Sequence, residues 1–160
     1  QHLPALDGLE YKAQRFLDSG SKMSEILLAV DRKKRPVILK IACVDQRARA
    51  EVNRQAIQTT IDWLQQLGVY PGIIRLRPIA FKGASQLSAW FTPPTYSATL
   101  QEWPGQPEFL VMDYLPGGSL RDFVGDKRLD IELALWIAHH IARALAYIHE
   151  RSCVHRDIKP

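Results

Sequence analysis

Val154-His155-Arg156-Asp157-Ile158-Lys159-Pro160 gathers a carboxylate and two permanent cations into one short stretch. Directly before it, Ala134, Ile137, Ala138, Ile141, Leu145 and Ile148 recur at three- and four-residue steps. Such spacing lines one face of a helix, here from about Asp130 to Glu150. A charged loop at the end of a long helix can hold a carboxylate where it accepts or orients a proton. It can also hold a cation where negative charge develops. His-Arg-Asp alone is equally an ordinary charged turn. The helix before it and Ile-Lys-Pro after it make the stretch distinctive.

Working back along the chain, Pro36–Ala42 (PVILKIA) is an apolar strand interrupted by one lysine, Lys40. Tyr11–Leu17 and Glu25–Val30 read as two further strands, and Asp31–Arg35 as a charged turn. Ile57, Ile61, Leu64 and Leu67 give a helix from Ala48 to Leu67, closed by Gly68 and prevented from resuming by Pro71. A strand is expected at Ile73–Phe81, followed from Lys82 to Gln106 by a polar, proline-containing loop longer than usual. Glu108–Tyr114 (EFLVMDY) is the next strand, ending in the turn Pro116-Gly117-Gly118. Ser119 is a good N-cap for a short helix over Leu120–Val124. Strands, one helix, strands and then helices make an α+β arrangement.

Three stretches together resemble the eukaryotic-type protein kinase domain. Val154–Pro160 is similar to its H-R-D catalytic loop. The resemblance makes Asp157 the residue that orients the attacking hydroxyl, and Lys159 the cation near the transferring phosphoryl group. Arg156 would be free to pair with a phosphorylated activation loop, and His155 would be structural. Val37-Ile38-Leu39-Lys40 is similar to the V-A-I-K strand, which makes Lys40 a ligand of the nucleotide phosphates. Read alone, Lys40 is a strand lysine that snorkels to solvent. Its place upstream of the helix and the H-R-D loop favours the phosphate role. Phe109 to Leu120 resembles the kinase hinge, with Met112 as gatekeeper and the backbone of Asp113 and Leu115 bonding adenine. Ile26, Ile38 and Val111 would support the ring. An edge strand followed by a capped turn describes the same backbone.

Two departures stand out. Where the family carries G-x-G-x-x-G, this chain has Ser19-Gly20-Ser21-Lys22-Met23-Ser24, with one glycine. Gly20 and Ser21 still permit close approach to phosphate, although positive φ is less accessible, and Lys22 can compensate electrostatically. The family's helix glutamate should pair with Lys40, yet its register falls on Thr60. Asp62 lies ~200° further round the helix. Either the helix is shifted and Glu51 is the partner, or the pair is absent.

Composition narrows the function classes. A net charge of +4 suits an anionic ligand, and equally a solvated basic surface. No aromatic-plus-basic stripe argues for nucleic acid. Cys43 and Cys153 are the only cysteines and lack the spacing of a disulfide framework or zinc site, so free thiols in a cytoplasmic compartment are expected. His139 and His140 point ~100° apart on their helix and suit packing or surface roles rather than metal binding. Trp63, Trp90, Trp103 and Trp136 read as packing residues. No run is expected to reach the ~18 apolar residues of a membrane span.

The combined expectation is a protein-kinase-like α+β fold. Residues 1–114 would form the ATP-binding lobe, and residues 115–160 the hinge and the start of a helical lobe, as part of a longer domain. The resemblance implies ATP and Mg²⁺, with metal ligands beyond Pro160, and a protein substrate phosphorylated on Ser or Thr. Lys159, two residues after Asp157, favours Ser/Thr over Tyr. A pseudokinase or scaffold that binds nucleotide or a partner without catalysis is the alternative. A small-molecule kinase ranks third, since that type carries H-G-D.

Overall fold

The computed structural model describes residues 3, 5–17, 23–44, 47–84, 92–125, 128–156 and 158. The chain divides into two compact units, Gln1–Gln65 with Arg75–Tyr114, and Gln66–Ile74 with Leu115–Pro160.

The first unit is built on an antiparallel sheet. Its strands are β1 (Tyr11–Leu17), β2 (Ser24–Asp31), β3 (Pro36–Ala42), β4 (Leu76–Arg77), β5 (Ala98–Thr99) and β6 (Glu108–Asp113). The order is β1-β2-β3-β6-β4, with β5 also paired to β6. Successive residues of a strand face opposite sides, so the register decides which side chains share a face. Leu27 and Ala29 of β2, Val37, Leu39 and Ile41 of β3, and Phe109 and Val111 of β6 form one buried face. Leu6 and Leu9 from the segment before β1 cover it, with Ile79, Leu100 and the edge of Trp103. Each fully buried side chain such as Phe109 or Leu39 contributes about 1.5–3 kcal/mol over its exposed state. β3 is central and buried on both faces, which is why it reads as a nearly continuous apolar run.

The strand expected over Ile73–Phe81 is only Leu76–Arg77. Pro78 has no N–H to continue the ladder. Beyond it the backbone turns to the N-terminal segment: Glu10 N donates to Ala80 O at 2.8 Å and Lys82 N to Gly8 O at 2.8 Å. Part of the expected loop is β5, and its tip crosses close to the end of β3. Gly105 takes φ +74°, and a side chain there would meet Val44 Cγ2 at 2.6 Å. Its carbonyl accepts from Arg54 at 3.1 Å.

Helix α1 (Arg47–Leu67) presents Asn53, Ile57, Ile61 and Leu67 as its buried positions. The Asn53 amide is satisfied by donating to Cys43 O at 2.8 Å, just past β3. Gly68, at φ +64°, ends the helix as its sequence implied.

The second unit holds α2 (Leu120–Val124) and α3 (Ile131–His149). Ser119 and Asp122 form a reciprocal capping box at α2, and Asp130 caps α3 by accepting from Leu133 N. Leu67, Ile73, Leu145, Ile148 and Cys153 pack together. Tyr147 stacks on Tyr70 at 3.7 Å and donates to Leu67 O at 2.5 Å. Ile131, Leu135 and Trp136 of α3 are exposed. By length and composition only, α3 is apolar enough to cross a membrane, although its apolar residues are interrupted by Glu132, His139, His140 and Arg143. It reaches that hydropathy with only Glu132 and Arg143 charged.

Candidate functional site

The face of the sheet opposite the Leu6–Leu9 cover carries the residues expected to meet a nucleotide. Ile26 lies across from Lys40, and Ile38 lies across from Met112. Leu110 is the β6 partner of Lys40, and Leu17 of β1 pairs with Ile26. Alternation therefore places Leu17, Ile26, Ile38, Lys40 and Met112 on one face, with Leu17 the member that the sequence did not single out. Ile38 and Met112 are buried. Val111, expected with Ile26 and Ile38, instead sits on the other face, in the core.

Lys40 is half-buried among these apolar neighbours, and burial holds its ammonium below the ordinary lysine range. Nothing among the described residues offsets that: no carboxylate pairs with it. The suggestion of Glu51 as its partner is corrected here. Glu51 is 72% exposed and lies 3.9 Å from Arg54, one turn along the same helix. The cause is rotational: Glu51 precedes the buried Asn53 by two positions, about 200° round the helix. Thr60 does lie on the inward face, and its hydroxyl donates to Ala56 O at 2.7 Å. Asp62 is exposed and accepts from Gln58 at 2.8 Å. The inner face of α1 thus carries an amide, a hydroxyl and aliphatic groups, and no carboxylate.

At the end of β6, the Asp113 carboxylate pairs with Arg77 Nε, and its backbone N–H donates to Arg75 O at 3.0 Å. Arg77 also reaches Asp31 at 3.7 Å. Asp31 accepts Lys33 N and Arg35 N at 2.9 Å each, and the Arg35 side chain at 2.8 Å. Burial pushes the Asp31 carboxyl upward, but these bonds and the Arg35 charge outweigh it and hold it below the usual range. Asp113 was singled out from sequence for its backbone alone, and the ion-pair network was not. An acid at a strand end followed by Arg35 was its one visible sign.

In the second unit, the chain leaves α3 through a tight cap. Ser152 N donates to His149 O and Cys153 N to Ile148 O, both at 2.9 Å. Ser152 is left-handed at φ +57°, and Cys153 packs back on Ile148. This is a Schellman closure with serine where glycine is usual. It aims the chain into Val154-His155-Arg156, where Arg156 again takes positive φ, +62°. Non-glycine residues hold that conformation at a cost, a feature common at functional loops. Leu115, the other expected adenine contact, is exposed at the start of this unit. Asp157, Lys159, Gly20, Ser21 and Lys22 lie outside the described residues.

A surface depression of about 680 Å³ lies away from Lys40. It lies beside β1, between the N-terminal segment and Arg32. Its lining mixes apolar residues such as Leu6 and Leu9 with charged ones such as Glu10, Lys12 and Arg32. An apolar face that ends at an ammonium with no carboxylate partner among the described residues has the chemistry to suit an aromatic ring bearing phosphates. For a metal ion the described residues offer no group of His, Cys, Asp and Glu.

An antiparallel sheet with a strand lysine, the long helix α1, and α3 leading into the His-Arg-Asp sequence make a protein-kinase-like α+β fold. A model of the protein kinase domain matches residues 11–160, and the chain belongs to that family. Among curated proteins it is 43% identical over 51 residues to Serine/threonine-protein kinase PAK mbt of Drosophila melanogaster, covering 32% of this chain and 8% of that one. It is 45% identical over 53 residues to Maternal embryonic leucine zipper kinase of Xenopus laevis, covering 32% and 8%. Aurora kinase C of Mus musculus is 38% identical over 53 residues, covering 32% and 19%. The aligned stretches are under a fifth of these relatives' lengths.

Proposed function

We propose that this chain is the ATP-binding part of a cytoplasmic Ser/Thr protein kinase, in a domain that transfers the γ-phosphoryl group of ATP to a protein hydroxyl. The observation that carries the reading is Lys40: a half-buried ammonium, without a carboxylate partner among the described residues, on one face with Ile26, Ile38 and Met112. A cation so placed is stabilised by a bound anion, and the apolar neighbours suit the ring attached to it. Lys40 binds the α- and β-phosphates, and the backbone of Asp113 and Leu115 bonds adenine. Asp157 orients the substrate hydroxyl and takes its proton as the oxygen bonds to the γ-phosphorus and the bond to ADP breaks. Lys159 offsets charge on the transferring group. Mg²⁺ supplies charge neutralisation at the phosphates when bound.

The inner face of α1 favours a second reading, a nucleotide-binding scaffold without catalysis, because it offers Lys40 no carboxylate. Phosphoamino-acid analysis separates the two. The full-length protein, incubated with γ-labelled Mg-ATP and a basic-protein substrate, should give labelled phosphoserine or phosphothreonine. Nucleotide binding with no labelled residue would establish the scaffold instead.

A further inference from the structure

Arg77 joins the acidic ends of two strands of the sheet. Its Nε pairs with Asp113 at the end of β6, and its NH1 reaches Asp31 at the end of β2. Asp31 is itself fixed by three bonds from the β2–β3 turn, two of them from the Arg35 side chain and backbone. Asp113 is opposite Val37 in the ladder, so all three groups lie at one end of the sheet. Only about a quarter of each of the Arg77 and Asp113 side chains is exposed, 25% and 29%. The pair is therefore less screened than a surface ion pair. β4 is two residues long and ends at Pro78, so few ladder bonds hold this corner and the ion pair takes a larger share.

We infer that Arg77 is a positioning residue for base recognition: bridged to Asp31, it holds the Asp113 carboxylate and so sets the peptide group that reads the nucleotide base. The inference rests on the proposal that the Asp113 backbone bonds adenine. Guanidinium geometry matters here, because its fork can serve two carboxylates at once while an ammonium offers no such planar spread.

The test measures equilibrium affinity of the full-length protein for ATP and for ITP, in which an oxygen replaces the exocyclic amine of adenine. The wild type should favour ATP. Arg77→Ala should lower that ATP-to-ITP ratio by about three- to tenfold, the scale of one hydrogen bond to the base. Arg77→Lys should restore part of the ratio, and Asp113→Asn should resemble Arg77→Ala. A merely structural role would weaken both nucleotides equally and leave the ratio unchanged, which overturns the inference. Thermal unfolding of each variant keeps misfolding from passing as loss of discrimination, since a surviving fold with a wild-type ratio still counts against it. A wild type that does not distinguish ATP from ITP would overturn the base-reading proposal itself, and the role of Arg77 with it.

Discussion

Lys40→Met separates what this lysine does for the fold from what it does for a ligand. In the structure its ammonium is half-buried with no ion pair among the described residues, and burial alone lowers its affinity for a proton. The unfolded chain hydrates that charge fully, so the folded state carries a penalty. Below the folded-state value both states are protonated and the penalty is complete. It fades as pH rises toward the ordinary lysine value of 10.5, because the unfolded state then loses its proton too. Methionine matches much of the side chain's length without the charge. Its substitution should stabilise the protein by on the order of 1 kcal/mol at neutral pH, the low end of gains when a buried ion gives way to an apolar group. For a domain of this size that is about 2–4 °C in melting temperature. ATP affinity should move the other way, falling about 10- to 100-fold with loss of a charge-assisted contact. Calorimetric melting between neutral pH and pH 10, with titration of ATP at neutral pH, reads both effects. A variant less stable than wild type by 1 kcal/mol or more would mean that Lys40 has a partner that stabilises the fold. Unchanged ATP affinity would remove it from the nucleotide site.

Three further outcomes follow from local structure. Ser152→Gly relieves a left-handed serine at the end of α3 and should add about 0.5–1 kcal/mol in denaturant unfolding; a loss would mean that the serine hydroxyl is needed there. Asp31 has a folded-state value below its ordinary one, so its contribution is present above pH ~4 and lost as pH falls through the folded value. Asp31→Asn should therefore flatten the acid limb of the stability profile, whereas an unchanged acid limb would show the network around it contributes nothing. The 160-residue chain alone exposes Ile131, Leu135 and Trp136 on α3 and should self-associate in light scattering; a monodisperse monomer would show that this face needs no cover.

Much of the fold was legible because local patterns agreed with it. β3 announced itself as an apolar run, and Ser119 marked the start of α2 as an N-cap, which the structure completes with Asp122 as a capping box. The spacing of Ile137, Ile141, Leu145 and Ile148 gave α3 almost to its ends. What the sequence hid was non-local. Leu6 and Leu9 carry no periodicity, yet they close one face of the sheet. β4 was overextended because the competing bonds to Gly8 and Glu10 come from seventy residues upstream. Arg77 and Asp113 are 36 residues apart, and only strand pairing brings them together. Glu51 was attractive as the acid upstream of the expected register. The helix face is set by Asn53, Ile57 and Ile61, and that face turns Glu51 to solvent. The Lys40 face was visible as separate motifs, and the register shows that Ile26, Ile38, Lys40 and Met112 belong to one surface.

The most direct test of a phosphoryl-transfer role is a single-turnover measurement with the full-length protein, Mg-ATP carrying a labelled γ-phosphate, and a Ser/Thr protein substrate, run beside Asp157→Asn. The wild type should transfer label to the substrate, and the variant should bind ATP about as tightly yet transfer it at least about a hundredfold more slowly, as expected when a positioned proton acceptor is removed. Equal transfer by both proteins, or none by a wild type that binds ATP, would contradict it.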